Sequence, residues 1–210
     1  MSLRPLDIGS NERAHRLIVI GASAGGFAAI TSLIAVLPKP LKAAVIVLQH
    51  RMPTREPVYE SLLSRWSTLP LSAAADGVPV QPGHIYVAPA DCHLAITPDR
   101  TFAHHDGTRI RGTRASLNPL LESAAAVYGV NAIAVILTGA GRDGTDGVQT
   151  VKREGGIVIV ESPSTAWHFG MPQSAVDTGA VDFVLPLAEI GPLLGKLIEA
   201  NHPLGNAPAG

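Results

Sequence analysis

The chain has a single cysteine, Cys92, which excludes an internal disulfide and any multi-cysteine zinc site and fits a reducing compartment. It has no surplus of either charge: the net charge is -1 with a pI near 6.7, so no overall basic field draws it to nucleic acid or an anionic membrane. No apolar run approaches the roughly 20 residues that span a bilayer. Residues 1–16 lack the hydrophobic stretch of a signal peptide and read as a short N-terminal tail. Internal repeats and linkers are missing as well. These features predict a cytoplasmic protein with no nucleic-acid partner and no membrane insertion. The 210 residues, 46% hydrophobic and 16% charged, suffice for one well-filled domain. We assign it to residues 17–200, with 201–210 as a flexible C-terminal tail.

Apolar β-rich runs alternate with helical patterns. Leu17–Ile20 is followed by a helix over Phe27–Leu37, and Ala44–Leu48 by a helix over Val58–Trp66. The rhythm returns with a helix over Pro119–Tyr128, a strand over Ala132–Leu137, a helix over Gly147–Glu154 and a strand over Ile157–Val160. A short helix from Pro172, a strand over Val181–Val184 and a helix over Leu187–Ala200 close the pattern. Continuous hydrophobicity within the strands is the mark of a sheet covered on both faces. Between Leu71 and His105, short segments punctuated by Gly, Pro and Asp point to hairpins, with Pro98-Asp99-Arg100 as one turn. The predicted fold is α/β: a doubly wound, mostly parallel sheet with helices on both faces and an antiparallel hairpin extension.

Gly21-Ala22-Ser23-Ala24-Gly25-Gly26 lies between the first strand and the first helix. Small residues around Ser23 allow the sharp turn that exposes a nucleophilic serine, although a plain glycine-rich turn of a dinucleotide fold has the same look. The G-x-G-x-x-G spacing is missing, and no P-loop lysine follows. A base for Ser23 is expected where another parallel strand ends, and the second strand runs into Gln49-His50. The alternative for His50 is an ordinary hydrogen-bonded loop residue. Thr138-Gly139-Ala140-Gly141-Arg142-Asp143 follows a third strand, and Asp143 is its first carboxylate. Asp143 either orients the imidazole or caps the next helix, where Asp146 competes.

The chain resembles the catalytic domain of bacterial chemotaxis protein-glutamate methylesterases, the CheB type. The likeness rests on Ile20-Gly21-Ala22-Ser23, Gln49-His50, Pro82 to Pro89, His105-Asp106-Gly107, Leu137-Thr138-Gly139 with Gly141 and Asp143-Gly144, and Phe169-Gly170-Met171-Pro172. It implies a hydrolase of glutamate methyl esters on the cytoplasmic helices of chemoreceptors, which releases methanol and also deamidates receptor glutamines. Ser23, His50 and Asp143 would be catalytic. We expect oxyanion donors at the Ala140-Gly141 backbone and at Ala24, and a pocket residue at Met171. No metal or organic cofactor is required. Four positions depart from the family pattern: Ala24 replaces a common Thr or Ser, Ala140 a usual Met, Ala115 a Pro and Asn118 an Asp. Asn118 before Pro119 reads as a helix N-cap. The family's receiver domain does not fit in the residues before Leu17; the expectation is either activity unregulated by phosphorylation or control by a separate response-regulator partner, unless those residues are the remnant of a linker.

Other residues have simpler readings. His84, His93, His104 and His105 read as hairpin-surface histidines with no recognised metal spacing. Arg109, Arg111 and Arg114 form a basic loop, with Arg111 and Arg114 as candidate contacts to an acidic substrate helix. Trp167 either lines the pocket or is buried, burial being the simpler account.

Overall fold

The computed structural model describes residues 15–53, 58–105 and 115–200. Arg109, Arg111 and Arg114 lie outside them. Seven parallel strands form one sheet in the order β3-β4-β2-β1-β7-β8-β9. They are β1 (Arg16–Ala22), β2 (Ala43–Gln49), β3 (Leu71–Ala73), β4 (Ile85–Val87), β7 (Ala132–Ile136), β8 (Ile157–Glu161) and β9 (Phe183–Leu185). A separate antiparallel pair comprises β5 (His93–Ile96) and β6 (Phe102–His105). The expected doubly wound fold is therefore present.

The Leu71–His105 region differs in detail from the hairpin expectation. Its three-residue segments β3 and β4 extend the main sheet in parallel, β4 against β2 and β3 against β4. Val78-Pro79-Val80 forms no strand, only a bridge from Pro79 to Thr101. The β5–β6 hairpin pairs with itself and packs on a helix, where Ile96 N–H donates to Ser123 Oγ at 3.0 Å. Short strands carry too few residues to display period or direction.

The helices are α1 (Gly26–Ala35), α2 (Val58–Ser64), α3 (Leu117–Tyr128), α4 (Thr145–Arg153), α5 (Gly170–Val176) and α6 (Leu187–Glu199). Alternation along β1 supplies both cores: Leu17 and Val19 join Leu120, Leu121 and Val148 on one face, while Ile18 and Ile20 join Ile30, Leu33 and Leu194 on the other. Among the described residues, no helix is long and apolar enough to cross a membrane.

Strand order reverses direction at β1: the chain builds outward through β2 on one side and later through β7 on the other. Sheets of this type bind ligands outside the carboxyl ends of the strands at that switch point. Ser23, His50 and Asp143 follow β1, β2 and β7 at that end of the sheet.

Candidate active site

Ser23 and His50 follow neighbouring strands in matched register. Ala22 pairs with Gln49, and the His50 N–H donates to the Ala22 carbonyl at 3.0 Å, which carries the ladder one residue past the strand end. Adjacent strands lie about 4.8 Å apart, so the serine and histidine emerge side by side. On the other flank the Ser23 N–H donates to the Thr138 carbonyl at 3.0 Å.

The turn after Ser23 uses its glycines for different purposes. Gly25 takes φ +77°, a left-handed conformation that favours glycine. Gly21 makes room for packing, since a Cβ there would collide with the Leu117 side chain of α3. A Cβ on Gly139 would lie 2.9 Å from Ser23 Cβ and 2.5 Å from Met171 Sδ, so that glycine lets two loops meet beneath the serine.

Asp143 is 6% exposed and lies against the N-terminus of α3. Its Oδ2 accepts from His50 Nε2 at 2.8 Å and from the Leu117 N–H at 2.7 Å, while Oδ1 accepts from the Ser116 hydroxyl at 2.6 Å. Burial by itself would raise the Asp143 pKa. The hydrogen bonds from His50, Ser116 and Leu117 outweigh it and hold the carboxyl below its ordinary value. The partial positive charge at a helix N-terminus acts in the same direction. Asp143 is therefore a buried carboxylate that stays ionised beside an imidazole.

That arrangement replaces the helix-capping reading of Asp143. The helix after it, α4, has Gly144 as N-cap with no side-chain cap bond. Asn118 is likewise not the cap of α3. Ser116 is, its Oγ accepting from the Asn118 N–H at 3.3 Å, and Asn118 instead bridges to α4 by donating to Asp146 Oδ2 at 3.2 Å and accepting from Gly147 N–H at 3.0 Å. Helix α3 starts two residues earlier than the Pro119 signal implies because Ser116 has both a carboxylate and a backbone amide to satisfy.

The N–H groups of Ala24, Ala140 and Gly141 enter no backbone hydrogen bond among the described residues. Met171 is 1% exposed, and its N–H donates to the Gly139 carbonyl at 2.8 Å, so it packs against the loop after β7. Trp167 is not buried but 81% exposed. His93 is not a surface residue, being 3% exposed with Nδ1 accepting from the Ser116 N–H at 3.2 Å.

Two residues without a role in the sequence reading fasten the serine turn. Thr138 donates its hydroxyl to the Ala24 carbonyl at 3.0 Å and accepts from the His168 N–H at 2.8 Å. Glu161, 1% exposed at the end of β8, accepts from the Thr138 N–H at 2.8 Å. The strand-end rule that singled out His50 and Asp143 also points to Glu161 when applied to β8. On the β2 side, Gln49 Nε2 donates to the Ser23 carbonyl at 3.4 Å and Tyr59 donates to Gln49 Oε1 at 2.5 Å. Burial pushes the Tyr59 phenol upward, Arg51 opposing and Glu60 reinforcing, so Tyr59 remains a donor.

Comparison with known proteins matches residues 18–194 to the CheB methylesterase family model. A Leptospira interrogans protein is 35% identical over 187 residues, covering 89% of this chain and 97% of its own length. The protein-glutamate methylesterase/protein-glutamine glutaminase of Thermotoga maritima is 38% identical over 186 residues, 87% of this chain and 54% of the relative. That of Pyrococcus horikoshii is 33% identical over 196 residues, 92% of this chain and 53% of the relative. The chain thus spans about half the length of these last two relatives. Among solved structures, the Thermotoga maritima CheB methylesterase catalytic domain superposes with a TM-score of 0.85 at 37% identity, covering 88% of this chain and 99% of that one.

Proposed function

Because this chain belongs to the CheB methylesterase family, we propose that it hydrolyses glutamate methyl esters on the cytoplasmic helices of chemoreceptors, with Ser23, His50 and Asp143 as its catalytic residues. One observation carries the reading: the His50 Nε2 bond to Asp143 at 2.8 Å, on the strand whose register brings His50 beside Ser23.

With Nε2–H donated to the carboxylate, the neutral imidazole keeps Nδ1 as its basic nitrogen. His50 Nδ1 takes the Ser23 hydroxyl proton as Oγ attacks the ester carbonyl, and ionised Asp143 stabilises the imidazolium. The N–H groups of Ala24, Ala140 and Gly141 are the donors available to the oxyanion. Because these are backbone groups, alanine at positions 24 and 140 leaves them in place. The tetrahedral adduct collapses, the C–O bond to the methoxy group breaks, and the His50 proton leaves with it as methanol. Water, deprotonated by His50, then attacks the acyl-serine; glutamate departs and the Ser23 hydroxyl is restored. A receptor glutamine follows the same route with ammonia as leaving group.

Incubating the chain with a methylated receptor cytoplasmic fragment, and quantifying methanol against a small ester supplied in parallel, tests the assignment. The expected result is a higher kcat/KM on the receptor fragment. A preference for the small ester contradicts it.

A further inference from the structure

Among the described residues the two most exposed large hydrophobic side chains lie in the segments that follow the strands on either side of β1: Trp167 is 81% exposed and Met52 83%. A tryptophan ordinarily buries about 150–250 Å² of apolar surface, so one left in water beside a reactive residue calls for a partner. Its position is fixed by its neighbours. A Cβ on Gly25 would lie 3.1 Å from Trp167 Cβ. The next residue, His168, is tied at both backbone groups, its N–H to Thr138 Oγ1 at 2.8 Å and its carbonyl to the Gly139 N–H at 2.9 Å. Ala166, on the other side, donates its N–H to the Ser162 carbonyl at 3.0 Å. The indole thus stands on the backbone that also anchors the Ser23 turn.

Met52 stands three residues beyond β2, while Trp167 lies in the segment after β8 that folds back onto the end of β7. In the strand order these elements lie on opposite sides of β1, which ends in Ser23. We propose that Trp167 and Met52 form a bipartite apolar docking surface for the substrate. Its occupant is an amphipathic helix bearing the esterified glutamate, with apolar side chains one turn before and after it.

The geometry around Ser23 argues for that occupant. The attacked carbonyl must come within about 3–3.5 Å of the nucleophile. A glutamyl side chain is short, so the helix carrying it lies over the rim of the site and covers the two apolar side chains beside Ser23. On a helix, positions three and four residues from the glutamate share its face, with Cβ atoms about 5–6 Å apart. Helix-in-groove recognition uses anchors at this spacing. The proposal rests on the esterase reading and adds the residues that select a helix over a free ester.

The chain has two tryptophans, so Trp66→Phe leaves Trp167 as the only indole reporter. In the full chain carrying Trp66→Phe and Ser23→Ala, a methyl-esterified receptor fragment is titrated while binding is followed independently by calorimetry. Trp167 emission is expected to shift to the blue and become shielded from acrylamide. Replacing Trp167 by Ala in the Ser23→Ala chain should weaken binding about tenfold, the scale of an aromatic hot spot, with Trp167→Phe recovering part of the loss. Binding with unchanged Trp167 emission and quenching overturns the docking surface and leaves the esterase reading standing. An emission shift that follows protein concentration alone also overturns it, since the cover is then a second copy. If the unmutated chain releases no methanol from the fragment, the esterase reading fails and the docking surface with it.

Discussion

The Ser116 hydroxyl donates to Asp143 Oδ1 at 2.6 Å while its oxygen accepts from the Asn118 N–H at 3.3 Å, so one side chain both starts α3 and holds the carboxylate that faces His50. The start of that helix and the orientation of the imidazole are coupled through Asp143. The coupling also explains how a carboxylate 6% exposed remains ionised, because three donors converge on it.

Ser116→Ala removes the cap and one of these donors. The expected loss is about 1–3 kcal/mol of stability, or several degrees in Tm for a domain of this size, accompanied by lower activity. Thermal melts of the two proteins at neutral pH check it. An unchanged Tm contradicts the dual role.

Asp143→Asn preserves size but removes the charge that favours the imidazolium and replaces one of the two acceptor oxygens with an NH2 donor. A fall in kcat on the order of 10⁴-fold is expected, the scale for this change in a serine triad. Steady-state kinetics, with circular dichroism as the control for folding, measure it.

Acid stability depends on the same carboxylate. Its folded pKa lies below the ordinary 3.8, so ionised Asp143 stabilises the fold at every pH above about 4, and this contribution is lost as pH falls from the ordinary value through the folded one. Urea midpoints measured downward from pH 5 should therefore drop less steeply for Asp143→Asn than for the unmutated chain.

Glu161 holds the serine turn through Thr138. Glu161→Ala leaves the buried Thr138 N–H without its acceptor, at a cost of about 1–3 kcal/mol, and should lower kcat, whereas Glu161→Gln retains an amide oxygen and recovers most of both. Equal behaviour of the two variants in melts and kinetics contradicts this role.

The central strands, and the places of Ser23, His50 and Asp143 after three of them, were legible because long apolar runs announce buried parallel strands and these residues lie where the runs stop. His50 and Asp143 each follow such a run. The parallel place of the short strands Leu71–Ala73 and Ile85–Val87 in the main sheet was not, since three residues show neither period nor direction. The helix start at Ser116 was hidden by Asn118-Pro119, an equally good capping signal, and only the position of Asp143 in space decides between them. The exposure of Trp167 has no local signature either. It depends on which loop Thr138 and Gly139 hold in place.

The most direct test of the account is the serine itself. With a methylated receptor fragment as substrate, the unmutated chain is expected to release methanol, while Ser23→Ala, folded to the same Tm, releases no more than buffer. Equal methanol release by the two proteins would contradict Ser23 as the nucleophile.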